Sequence, residues 1–262
     1  MAAMAQEDLL VKPLLFRYFF EAQFPKEWSV TFRQEQIERE PDGWFHPSSH
    51  PLMTARQLYY YLTEPETWQG WTPDYVLRMS TLMGSALHDF IEMALKHLGL
   101  LIEPSGACQA CGRPQPTQCS EHGAKDPETG SRGHMDGVLK LDRLGLVGFE
   151  FKTAIPAGIS QIADGDVAAF RKKWPYYFAQ INEYMRMTGM RTYIVLFMGL
   201  GNPWEMREFK IDYDFELGLK TERKYLEVRK AVELGVPPQL CCAPRSKQAR
   251  ECPAAGCEVK RA

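Results

Sequence analysis

The chain has 262 residues, 45% of them hydrophobic and 24% charged, which suits one large or two small domains of an ordinary globular protein. Its formal net charge of −2 excludes a global basic footprint, so composition alone points neither toward nucleic acid nor away from it. No stretch approaches the roughly 20 apolar residues of a membrane helix. The opening "MAAMAQEDLL" lacks the basic and apolar regions of a secretory signal, so a cytoplasmic setting and no membrane partner are expected.

Short helices are expected near residues 8–22 and 53–63, separated by irregular, Pro-broken connections. A stronger helix is expected to start at Ser80 or Thr81 as its N-cap, run through "TLMGSALHDFIEMALKHLG" and end at Gly99. Residues 104–133 combine Pro, Gly and Cys with little periodicity and read as an insertion or long loop. Strands at 134–141 and 146–153, joined by "DRLG", form a hairpin. A helix at about 174–188 is stopped by Gly189, "TYIVLFMGL" is a buried strand, and "GNP" turns it into "WEMREFKID". "FELGLKTERKYLEVRKAVELG" is the last clear helix. The order predicts an α/β fold with a central mixed β-sheet flanked by helices.

The stretch "VGFEFKTA" alternates apolar and charged residues. In a strand, Val147, Phe149 and Phe151 face one side and Glu150 and Lys152 the other. The hairpin brings Asp136 of "GHMDGVL" beside Glu150 on one exposed face. Two adjacent carboxylates repel unless a cation sits between them. Hard oxygen ligands of this kind suit Mg²⁺ or Mn²⁺. Lys152, on the same face, can position a water or offset charge on a phosphate. Gly84, His88 and Glu92 recur every four residues on one helix face, with His88 as a candidate imidazole ligand and Gly84 admitting a close neighbour. Gln180 and Tyr184 share a face of the helix after the hairpin, where an amide and a phenol can grip a phosphate or a base.

Seven cysteines fall in two clusters. "CQACGRPQPTQCSEH" has the pattern C-x₂-C-x₇-C-x₂-H, so Cys108, Cys111, Cys119 and His122 form a candidate tetrahedral zinc site that clips the insertion. The mildly basic tail holds Cys241, Cys242, Cys252 and Cys257, for which a second metal or cluster and free thiols both remain open. Its Lys and Arg residues, at 245, 247, 250, 260 and 261, and the run "FRKKW" at 170–174 suit a phosphate backbone or plain solvated surface.

In chain order, "GSALH", "GHMD", "EFK" and "QINEY" resemble the PD-(D/E)XK nuclease superfamily in its RecB-like branch, close to CRISPR adaptation-type exonucleases and their phage-encoded relatives. The resemblance spans roughly residues 80–200. It implies a restriction-endonuclease-like core at 79–235, with the zinc-binding insertion at 104–127. An N-terminal helical region, 1–78, would pack on that core, and 236–262 would be a Cys-containing tail. It implies that His88, Asp136, Glu150 and the main-chain carbonyl of Phe151 hold Mg²⁺ or Mn²⁺, that Lys152 is catalytic, and that Gln180 and Tyr184 contact DNA. The implied activity is exonucleolytic hydrolysis of linear single- or double-stranded DNA in recombination, repair or phage replication, in a bacterial or phage-infected cytosol. The resemblance also implies an iron–sulfur cluster on one cysteine ahead of the His88 helix and three near the C-terminus. No cysteine precedes Cys108, which departs from that pattern. A structure-specific endonuclease or RNA nuclease on the same core, and an inactive zinc-containing DNA-binding protein, are the alternatives. The joint presence of His88, Asp136, Glu150 and Lys152 speaks against the last.

Overall fold

A computed structural model describes residues 9–21, 42–68, 75–154, 156–257 and 259. The stretch 1–8 and, in the tail, Glu258, Lys260 and Arg261 lie outside the described residues.

Four strands make the central sheet: β5 (Gly137–Leu141), β6 (Gly145–Ala154), β7 (Thr192–Gly199) and β8 (Asn202–Asp212). β5–β6 and β7–β8 pair antiparallel, and β6–β7 pairs parallel, so the sheet is mixed, as expected. A parallel pair needs a long crossover. It is supplied by α4 (Pro156–Ile159), α5 (Val167–Lys173) and α6 (Pro175–Thr188), the last ending at the left-handed Gly189 (φ 74°).

The alternation read at 147–152 sets the two faces of the sheet. Val147, Phe149 and Phe151 lie in one buried cluster with Leu15 and Tyr18 of α1 (Lys12–Phe20) and Ile91 and Leu95 of α3 (Tyr75–His97). The opposite face carries Tyr193, Val195 and Phe197 of β7, packed on Phe170, Phe178, Ile181 and Tyr184 of α5 and α6. Each large side chain removed from water contributes roughly 1.5–3 kcal/mol, so these two layers dominate the packing energy. A third cluster joins α2 (Ala55–Thr63), the long α7 (Phe215–Leu234) and the tail through Leu58, Tyr225, Val228, Cys252 and Cys257. Thr54 caps α2 with Gln57 in a reciprocal capping box. Ser246 caps the short α8 (Lys247–Arg250).

Both outer strands of the sheet are covered. Leu101 bridges Leu139 on β5. Glu208 of β8, 1% exposed, accepts the backbone N–H groups of Leu10, Val11 and Lys12 at 2.7, 2.9 and 2.6 Å, tying the start of α1 to the last strand.

Three expectations change. The His88 helix does not start at Ser80 or Thr81; it is already helical at Tyr75, and the Thr81 carbonyl accepts from the Ser85 hydroxyl inside it. Residues 104–133 are not all loop: β1 (Gly106–Ala107) pairs with β2 (Pro114–Gln115), and β3 (His122–Asp126) with β4 (Ser131–Met135). The strand expected at 134–141 is broken at Asp136, because β4 pairs with β3 whereas β5 pairs with β6. That change of partner is what lifts Asp136 out of the ladder.

Candidate active site

The break places Asp136 beside the middle of β6. Its Oδ2 accepts the Phe151 N–H at 2.8 Å and lies 3.0 Å from His88 Nε2. Glu150 and Lys152, on the face opposite the apolar trio, form an ion pair with Nζ 2.5 Å from Oε1. The same Oε1 accepts the Gln180 amide at 2.8 Å. Lys152 Nζ also lies over the Tyr177 ring, 5.3 Å from its centroid. α3, the break between β4 and β5, β6 and α6 thus bring His88, Asp136, Glu150, Lys152 and Gln180 near one another.

Gly84 explains how α3 comes so near. A Cβ there would stand 2.8 Å from Thr153 Oγ1, so glycine lets the helix lie against β6 one residue beyond Lys152.

The face carrying Glu150 is covered by α6 rather than open. Glu150 is 1% exposed, whereas the side chains of Lys152 and His88 keep 21% and 26%. Burial, with the Asp136 charge adding, raises Glu150 to about 7. For Asp136 burial acts in the same direction, but Lys152, His88 and the Phe151 N–H outweigh it and hold the carboxyl below its usual range. Burial opposes charge on His88, yet its bond to Asp136 and that carboxylate's charge carry it up to about 9. Burial likewise opposes charge on Lys152, and the two carboxylates overcome it.

Glu150 Oε2 is buried without a hydrogen-bond partner. A buried polar oxygen left without a partner bears its full desolvation penalty, roughly 1–3 kcal/mol and more when charged. Asp136 and Glu150 are the oxygen donors that a hard divalent cation would take. Among the described residues His88, Asp136 and Glu150 do not together bring one ligand atom each within 4.8 Å of one another, whereas His88, Asp89 and Glu92 on α3 do. Asp89 was not singled out from the sequence, because it sits one residue off the four-residue repeat.

Gln180 and Tyr184 do not face outward to DNA. Both are buried, Gln180 bonded to Glu150 and Tyr184 with its hydroxyl on the His134 carbonyl at 2.5 Å.

The cysteine cluster is built from a different histidine than expected. Cys108, Cys111, Cys119 and His134 bring their ligand atoms within 4.8 Å of one another. His122 instead points its Nε2 to the Ile102 carbonyl at 2.8 Å. The cause is the period of the hairpin. His122 pairs with Met135 and Gly123 with His134, so the two histidines leave opposite faces. Cys241, Cys242, Cys252 and Cys257 are not joined in disulfides and line one cavity with Arg56, Gln57 and Tyr60. Among the described residues, they do not bring three ligand atoms within 4.8 Å of one another.

No helix among the described residues is long and apolar enough to cross a membrane. No protein-family model and no curated protein matches the chain. Among solved structures, the chain is similar to SSO0001 at 13% identity, covering 95% of this chain and 96% of that one with a TM-score of 0.39. It is also similar to LHK-Exo, an alkaline exonuclease from Laribacter hongkongensis, at 16% identity over 74% of this chain and 89% of that one, with a TM-score of 0.44. The same enzyme in complex with dAMP gives 15% identity, 74% and 90% coverage, and a TM-score of 0.44. These are distant likenesses.

Proposed function

We propose that the chain is a divalent-metal-dependent nuclease that hydrolyses phosphodiester bonds at the ends of linear DNA, in recombination, repair or phage replication. The observation that carries this reading is the partnerless, buried Glu150 Oε2 set beside Asp136, with Lys152 at its edge. A bound Mg²⁺ or Mn²⁺ would supply Lewis acidity toward the phosphate and a more acidic water. Asp136 and Glu150 would hold that ion, with His88 steadying the Asp136 carboxylate through Oδ2. Lys152 keeps its ammonium at the edge of the site, where it orients the attacking water and offsets the negative charge that grows on the phosphate. Water adds to phosphorus, the bond to the leaving oxygen breaks, and that oxygen takes up a proton, giving one phosphate end and one hydroxyl end. On α5, the exposed Arg171 and Lys172, next in sequence to Lys173 and Trp174, suit the approach of a phosphate backbone.

The test is incubation with end-labelled linear and with circular DNA, single- and double-stranded, in Mn²⁺. Loss of linear molecules alone supports an exonuclease. Loss of circles marks an endonuclease, and cleavage of RNA only marks a ribonuclease. DNA retention without cleavage overturns the enzymatic reading, as does wild-type-like cleavage by Asp136→Ala or Glu150→Ala.

A further inference from the structure

We propose that Cys108, Cys111, Cys119 and His134 bind one zinc ion, and that this ion fixes the strand from which Asp136 enters the active site. Three sulfurs and one imidazole nitrogen within 4.8 Å of one another are a donor set for tetrahedral zinc. Cys108 Sγ already lies 3.3 Å from His134 Nε2.

Two further observations support the site. The segment around it has almost no core of its own: within 103–121 only Pro104, Cys108 and Ala110 are buried. A loop with so little apolar burial needs another source of order, and a metal bound only by the folded form provides one. The loop is also seated flat on the β3–β4 hairpin. A Cβ on Gly123 would stand 2.4 Å from Cys108 Sγ and 2.7 Å from the Ala110 nitrogen, so only glycine allows this approach. Gly123 is the cross-strand partner of His134, which puts the cysteines over the hairpin face that carries this imidazole. Arg132, on the same face, adds a bond to the Ala110 carbonyl at 3.3 Å.

His134 lies two residues before Asp136. Its imidazole faces the cysteines, and its carbonyl accepts the Tyr184 hydroxyl from α6. Held from both sides, the end of β4 has one position, and the turn that projects Asp136 onto the Phe151 N–H follows directly. The zinc is a strut remote from the reaction, and His134 is a positioning residue.

The zinc assignment stands independently of the nuclease reading; only the coupling to Asp136 rests on it. The 262-residue chain is purified with zinc and its metal content measured by elemental analysis. Wild type and His122→Ala carry about one zinc per chain, while His134→Ala and Cys111→Ser, the latter at an exposed position that leaves packing intact, bind it at least about tenfold more weakly in competition with a chelator. For the coupling, Mn²⁺ titrated calorimetrically into His134→Ala binds about tenfold more weakly than into wild type. His134→Cys, which restores a fourth zinc ligand, recovers both affinities. Zinc absent from wild type, or kept by His134→Ala and lost by His122→Ala, overturns the ligand set. Unchanged Mn²⁺ affinity in zinc-free Cys111→Ser, or weak Mn²⁺ binding by a zinc-loaded His134→Cys, overturns the coupling. Wild type that binds zinc and Mn²⁺ but cleaves no DNA refutes the nuclease reading and leaves the zinc assignment standing.

Discussion

The Gln180 amide reaches 2.8 Å to Oε1 of Glu150, the carboxylate oxygen that Lys152 also engages, and the other oxygen, Oε2, is left buried without a partner. Under the proposed function, Gln180 orients the Glu150 carboxylate from beneath it. Gln180→Ala should weaken Mn²⁺ binding about 10- to 100-fold, as loss of a ligand's supporting partner does. KM for DNA at saturating Mn²⁺ should stay near wild type. A raised KM with unchanged Mn²⁺ affinity would restore the direct contact with DNA.

Lys152 separates catalysis from metal binding, because a protonated ammonium has no lone pair for a cation. Lys152→Ala should hold Mn²⁺ and DNA near wild-type affinity while cleavage falls at least about 100-fold, roughly 3 kcal/mol of transition-state stabilisation. Lys152→Arg should rescue little, since the forked guanidinium does not fit a slot sized for one ammonium 2.5 Å from Oε1. Single-turnover cleavage alongside DNA-binding titrations decides it.

Arg186 on α6 carries the β3–β4 hairpin. It bonds Asp126 at 2.7 Å, Ser131 at 3.0 Å and Thr129 at 3.1 Å, and pairs with the buried Glu183 at 2.9 Å. Arg186→Met strands a buried carboxylate and should cost roughly 3–5 kcal/mol in urea unfolding. A double variant with Glu183→Gln should recover part of that loss, because the stranded charge is then gone.

His50 predicts an acid limit to stability. Burial, then the charge of neighbouring His46, lowers its pKa to about 3, and its Nδ1 accepts the His46 N–H at 2.6 Å. An unfolded histidine titrates near 6.5, so between these values the unfolded chain binds the extra proton. The contribution is complete above about pH 6.5 and is lost as pH falls toward 3, by about 5 kcal/mol at the far end. Urea unfolding at stepped pH should show a steeper acid loss in wild type than in His50→Gln; equal slopes would refute it.

The layers that follow a single period were legible in the sequence. The period-2 alternation from Val147 to Lys152 gives the two faces of β6, and the Gly189 stop gives the end of α6. What failed depended on which strand pairs with which. Periodicity cannot show that residues 131–135 and 137–141 take different partners, so the break that frees Asp136 was read as one strand. The zinc ligand was misplaced for the same reason. The spacing of Cys119 and His122 looks like a knuckle, but cross-strand register puts His134, not His122, on the face beneath Cys108. Once the hairpin is known, the pairing of His134 with Gly123 is the signal that finds it. Burial of Glu150 under α6 was equally invisible, because a charged pair on an alternating strand reads as solvated until the covering helix is placed.

The bonds from Glu208 to the start of α1 join residues 196 to 198 positions apart. A ribosome makes about 5–20 residues per second, so α1 emerges roughly 10–40 seconds before the carboxylate that anchors it exists. Until β8 is made, the cluster that covers Leu15 and Tyr18 in the finished protein is incomplete, although its α3, β5 and β6 members already exist. α1 thus waits for one of the last strands to be made before its start is tied down.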